Sequence, residues 1–191
     1  MAFSKIRKIL AAGVDIAQLR CKGLSERVFL EYARRLKKVC GLYNILFIVN
    51  DRPEIALASD ADGLHVGQED IPPLICRKII GEKKILGLST HSIAQAKKAF
   101  NDKSIDYIGI GPIFNTETKP DKSPIGLKVI RRISRRKAST PFFAIGGINL
   151  SNIDKLMGAG AKNIALSSAV FDARVPAAVV KRLKDKLYDS N

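Results

Sequence analysis

A (β/α)₈ barrel lacking its first strand, a single domain over residues 1–191, is the α/β fold this chain predicts, and three observations carry it. Strands and helices alternate at a period of roughly 20–25 residues. The strands are short, continuous apolar runs such as Tyr107 to Ile110, as in a parallel sheet covered by helices. Polar residues and glycines recur at the strands' C-terminal ends, where a barrel gathers its loops. No Gly-x-Gly-x-x-Gly turn follows an early strand, so an open dinucleotide-binding sheet loses its main support.

The elements follow in order. Ser4 to Ala12 is a helix closed by Gly13, and Val14 to Leu19 a strand running into Arg20-Cys21-Lys22. Ser25 is placed to cap a helix reaching about Cys40. Asn44 to Val49 is an apolar strand ending at Asn50-Asp51, and Pro53 starts a helix to Ala58. Gly63 to Val66 is a strand, and Pro72-Pro73 lead a helix that stops at Gly81. Ile85 to Leu88 is a strand ending in Ser89-Thr90-His91, and Ser92 begins a helix to Phe100. Tyr107 to Ile110 is a strand, followed after a long loop by a helix from Leu127 to Lys137. Phe142 to Ile145 is a strand ending in Gly146-Gly147, and Asn152 to Met157 a helix. Ile164 to Leu166 is a strand ending in Ser167-Ser168, and Ala177 to Tyr188 the last helix. That makes eight helices but seven strands. A barrel short of one strand has two unpaired edges, a liability for stability and solubility. The count implies a start upstream of Met1, a truncated form, or another element in the gap.

Composition narrows the class. Hydrophobic content of 46% and charged content of 27% are those of a globular protein. No apolar run approaches a membrane span and no secretory block opens the chain, so the expectation is a cytoplasmic protein. Cys21, Cys40 and Cys76 are too scattered for a disulfide framework or zinc site. The net charge of +15 is spread over several amphipathic helices without interleaved aromatics, so no nucleic-acid partner is expected.

The stretch from Asp106 to Leu127 holds the longest aperiodic run. So long a connection inside a compact domain usually covers a ligand. Thr116 and Thr118 offer hydroxyls, Lys119 a cation, and the glycines close backbone approach. With Gly147, Ser167 and Ser168 at the last two strand ends, where barrels commonly hold phosphate, the loop points to a phosphorylated ligand. Asp51 and Asp70 end consecutive segments and suit magnesium shared with substrate phosphates, although either can instead cap the following helix. Arg20 and Lys22 lie two apart and, with Lys119, place three cations over one mouth. Gln18 can read a heterocycle edge; Asn50 and Ser89 add polar groups. His65 reads as a packed, hydrogen-bonded core residue.

Together these residues resemble thiamine phosphate synthases over essentially the whole chain. The likeness rests on Gln18-Leu19-Arg20-x-Lys22, Asn50-Asp51-Arg52, Ala61-Asp62-Gly63-x-His65-x-Gly67-Gln68-x-Asp70, Gly87-x-Ser89-x-His91, Gly111-Pro112-Ile113-Phe114-x-Thr116-x-Thr118-Lys119 and Ala144-Ile145-Gly146-Gly147-Ile148. It implies a homodimeric barrel that joins a hydroxymethylpyrimidine diphosphate to a thiazole phosphate, by departure of diphosphate before the thiazole nitrogen attacks. It further implies magnesium on Asp51 and Asp70, and diphosphate on Arg20, Lys22, Asn50 and Lys119. Gln18 and Ser89 would reach the pyrimidine. Thr116, Thr118, Gly147, Ser167 and Ser168 would hold the thiazole phosphate. Cys21 stands where the family commonly has Glu, and Asn115 where it often has Pro. Two rivals remain: a metal-independent thiazole tautomerase on the same barrel, which needs a histidine near the Thr116 loop, and a catalytically inactive truncated barrel.

Overall fold

The computed structural model describes residues 3–21, 23–117, 123–136 and 139–188. Seven strands form one all-parallel sheet in sequential order: β1 (Ile16–Leu19), β2 (Leu46–Asn50), β3 (Gly63–Val66), β4 (Ile85–Thr90), β5 (Tyr107–Ile110), β6 (Phe142–Ile145) and β7 (Ile164–Ala165). The helices are α1 (Phe3–Leu10), α2 (Glu26–Gly41), α3 (Pro53–Ala58), α4 (Pro73–Ile80), α5 (Ile93–Phe100), α6 (Leu127–Ser134), α7 (Ile153–Met157), α8 (Ser168–Phe171) and α9 (Pro176–Tyr188).

Successive side chains on a strand face opposite ways. Phe47, Val49, Leu64, Val66, Leu86, Ile108 and Ile110 thus form the buried layer under the helices. The alternate set (Gln18, Ile48, Asn50, His65, Ser89, Tyr107 and Phe143) lines the other face. Strands spaced ~4.8 Å apart would put β1 and β5 ~19 Å apart in a flat sheet. Yet the Gln18 side chain on β1 hydrogen-bonds Tyr107 on β5, so the sheet curls.

The helical layer closes further than the sheet. α1 packs against α9, and Ile9, Ala12, Val170 and Val180 form a small core of their own. Lys184 on α9 donates to the Gly13 carbonyl and, at 3.0 Å, to Asp15; Lys5 on α1 donates to the Phe171 carbonyl. Among the described residues no strand joins β7 to β1. Leu46 and Ile145, which face the inside of the curl, accordingly stay 41% and 44% exposed.

Several expectations shift. There are nine helices among the described residues, not eight, because α8 is a four-residue turn too short to leave a periodic signal. β2 starts at Leu46 rather than Asn44: Asn44 has φ 53°, and the Ile45 amide turns back to the Cys40 carbonyl. β4 runs on to Thr90, whose hydroxyl donates to the Gly109 carbonyl at 2.9 Å. Ser25 precedes α2 but makes no side-chain cap, whereas Ser92 caps α5 by accepting from the Gln95 amide at 3.1 Å.

Candidate functional site

Because every strand runs the same way, their C-terminal ends share one rim. Arg20 follows β1 and is exposed; Asn50 ends β2 and is buried; Asp51 comes next. Asp51 has φ 65°, a left-handed backbone, and its amide donates to the His65 carbonyl at 2.8 Å. Non-glycine residues tolerate that conformation rarely, and such positions gather at ligand sites. Asp70 lies in the loop after β3, where its carboxylate accepts from the Gly67 amide at 2.6 Å and ties the loop into a tight turn. The register pairing Asn50 with His65 makes neighbours of the two strand ends that Asp51 and the Asp70 loop follow. Among the described residues no group of three or more His, Cys, Asp or Glu could hold a metal on its own. A two-carboxylate donor set fits magnesium that takes its remaining ligands from phosphate and water.

Below the rim a chain of polar side chains crosses the curl. His65 meets the Ser89 hydroxyl through Nε2 at 2.9 Å and the Tyr107 hydroxyl through Nδ1 at 2.8 Å; Tyr107 in turn contacts Gln18. Burial pushes the Tyr107 phenol well above its ordinary pKa, with the Gln18 hydrogen bond pulling the other way, so it stays a neutral hydroxyl. His65 is thus buried and hydrogen-bonded, but it also orients the two groups expected to reach a heterocycle. The rings fit because β4 carries glycine opposite them: a Cβ at Gly87 would lie 2.5 Å from His65 Nδ1.

The loop after β5 is anchored on the end of β6. The Gly111–Pro112 peptide is cis, and the Ile113 and Phe114 amides donate to the Ile145 and Gly146 carbonyls at 2.9 and 3.1 Å. Gly147, at φ 65°, leaves room for this: a Cβ there would meet Phe114 Cβ at 2.8 Å. Thr116 is half-buried within the anchored loop. Ser167 and Ser168 are exposed at the start of α8. Lys22, Thr118 and Lys119 lie outside the described residues.

Three rim residues stand in the quoted motifs without a role assigned from sequence. Gln68 donates to the Ser89 carbonyl at 2.7 Å and so laces the β3 loop to β4. His91 contacts the Gly111 carbonyl through Nδ1 at 2.6 Å, where the long loop begins. Arg52 joins Glu26 at 2.8 Å, which binds the β2 loop to α2. Each bond joins elements distant in the chain, so neighbouring sequence carries no signal for it.

Residues 2–170 match the family model described as thiamine monophosphate synthase. The chain is 43% identical over 182 residues to a thiamine-phosphate synthase of Prochlorococcus marinus, covering 95% of this chain and 51% of that one. It is 43% identical to one from Acidothermus cellulolyticus, covering 88% and 80%. The solved structure of a thiamine phosphate pyrophosphorylase from Pyrococcus furiosus superposes with a TM-score of 0.90 at 33% identity, covering 99% and 90%. The chain spans about half the length of the first of these relatives, as it does of several other curated ones. With the whole of its fold and nearly all of its sequence accounted for in this way, the chain belongs to the thiamine monophosphate synthase family.

Proposed function

We propose that the protein condenses 4-amino-2-methyl-5-hydroxymethylpyrimidine diphosphate with 4-methyl-5-(2-phosphooxyethyl)thiazole, forming thiamine phosphate and diphosphate. The observation that carries this is its likeness to the Pyrococcus furiosus pyrophosphorylase over nearly the full length of both chains. The seven strands are read as seven of the eight positions of a (β/α)₈ barrel, with the substrates meeting at its rim.

In this reading the residues bind and orient rather than attack. Gln18 and Ser89 hold the pyrimidine, each set in place by the Tyr107–His65 pair beneath it. Arg20, Lys22, Asn50 and Lys119 hold the diphosphate; fixed donors of this kind contribute most as charge builds on the leaving oxygens. Asp51 and Asp70 hold magnesium, which supplies further neutralisation of the diphosphate when bound. Thr116, Thr118, Gly147, Ser167 and Ser168 take the thiazole phosphate. No proton-abstracting residue is assigned, because a dissociative departure needs charge stabilisation and not a base. A homodimer and a cytoplasmic setting complete the proposal. Among the described residues no helix is long and apolar enough to cross a membrane.

The test is to supply both substrates with magnesium and follow diphosphate release alongside thiamine phosphate. Stoichiometric formation of both that stops on chelation is expected. Folded protein that forms neither would overturn the proposal, and isomerisation of a thiazole phosphate without metal would favour the tautomerase.

A further inference from the structure

The polar chain beneath the rim has buried links and open ends. His65 and Tyr107 are 7% and 8% exposed, whereas Ser89 is half-buried and Gln18 exposed. Packing leaves the two rings little freedom. They lie 5.3 Å apart, Phe143 meets Tyr107 edge-on at 5.3 Å, and the Gly87 backbone closes another side. A chain so held transmits hydrogen-bond direction, because each hydroxyl has one proton to give and a neutral imidazole donates at one nitrogen and accepts at the other.

The direction can be followed from Gln18. Its hydrogen bond pulls the Tyr107 phenol down against burial, as a bond does when the amide donates to the phenol oxygen. Tyr107 keeps its own proton, and among the described residues the partner left to receive it is His65 Nδ1 at 2.8 Å. His65 therefore carries its proton on Nε2 and donates it to the Ser89 hydroxyl at 2.9 Å. The two ends are then opposite in character. The planar Gln18 amide, with its nitrogen toward Tyr107, leaves its carbonyl oxygen as an acceptor on the other side. Ser89, its oxygen engaged by His65, has its own proton to give.

We infer that Gln18, Tyr107, His65 and Ser89 form one ordered hydrogen-bond chain that fixes an acceptor at Gln18 and a donor at Ser89, and so selects a ring bearing an amino group beside an unprotonated nitrogen. The ligand rests on the proposed reaction: the 4-amino group of the pyrimidine donates to Gln18 and the adjacent ring nitrogen accepts from Ser89. The 4-oxo counterpart carries an acceptor and an N–H at those two places, so it sets acceptor against acceptor and donor against donor. Tyr107 and His65 are positioning residues, and cutting the chain between them and Gln18 lets both ends turn.

Two measurements test it. The chain has two histidines, so long-range proton–nitrogen NMR of the labelled protein, with His91→Gln to separate the signals, reads the His65 tautomer without substrate. A single form protonated on Nε2 is expected, giving way to mixed forms in Tyr107→Phe. Diphosphate release from the 4-amino pyrimidine diphosphate and from its 4-oxo analogue, with thiazole phosphate and magnesium present, reads selectivity. Wild type should prefer the amino compound by at least ~100-fold in kcat/KM, since mismatched polar groups in a site discriminate strongly. In folded Tyr107→Phe that preference should fall at least ~10-fold with the KM for thiazole phosphate unchanged, whereas a merely structural loss lowers both compounds alike. Nδ1 protonation in wild type, or an undiminished preference in Tyr107→Phe, would overturn the inference. An ordered tautomer in a protein that releases diphosphate from neither compound would overturn the reaction, and with it the ligand named here.

Discussion

Gly87→Ala places one methyl group where the interior has no room. Its carbon would lie 2.5 Å from His65 Nδ1 and would overlap the Tyr107 ring. Ordinary carbon contacts begin near ~3.5 Å, so a ring must retreat by about 1 Å. His65 and Tyr107 are buried and mutually bonded at 2.8 Å, so that retreat breaks a hydrogen bond or shifts Ser89, held at 2.9 Å. Overpacking of this kind costs about 1–3 kcal/mol, and each lost hydrogen bond adds ~1 kcal/mol. With one hydrogen bond lost, the melting temperature of a domain of this size should fall by roughly 4–16 °C. If the chain positions the pyrimidine, a displacement near 1 Å should also lower kcat/KM for the pyrimidine diphosphate by up to ~100-fold. The control is Gly109→Ala, whose Cβ would sit an ordinary 3.5 Å from His65 Cε1 and should change melting by less than ~1 kcal/mol. Thermal melts by circular dichroism and steady-state diphosphate release measure both. A Gly87→Ala protein that melts with wild type and turns over normally, or a Gly109→Ala protein equally damaged, would refute the packing argument.

Arg77 is buried and donates to the Ser104, Gly81 and Lys84 carbonyls and, at 2.6 Å, to Asp106. Arg77→Leu leaves those acceptors without their donor and should cost about 3–5 kcal/mol in denaturant unfolding; a loss below ~1 kcal/mol would contradict the role. On the proposed function, Lys119→Ala should lower turnover at least ~100-fold in the diphosphate-release assay, through loss of a cation from the leaving group. Burial pushes the Cys40 thiol up to about 11 and raises Cys76 as well, while Cys21 is exposed. Maleimide at pH 7 should therefore label one thiol per folded chain and three after denaturation. Since Cys40 keeps its proton longer when folded, its contribution to stability is complete below its unfolded pKa and fades as pH climbs through about 11. Alkaline melts should show that decline, and a Cys40→Ala variant should lack this component of it.

Local sequence determined a good deal. Short runs bounded by turn residues marked β3, β5 and β6 at their observed limits; β3 and β5 are buried along their whole length, and a strand buried on both faces shows no polar alternation to blur its ends. Their parallel order placed Asp51, Asp70 and Gly147 at one end, since crossover helices leave no other arrangement. Tertiary structure alone decided what depends on curvature. Gln18 and Tyr107 are far apart in sequence, with three strands lying between theirs, and they touch only because the sheet bends; Gly87 looks like a weak strand residue until the rings that fill its space are seen. The four-residue turn of α8, the lacing of Gln68 to Ser89 and the exposed outer face of α4 belong to the same class. Each is a relation between surfaces that periodicity along one segment does not encode.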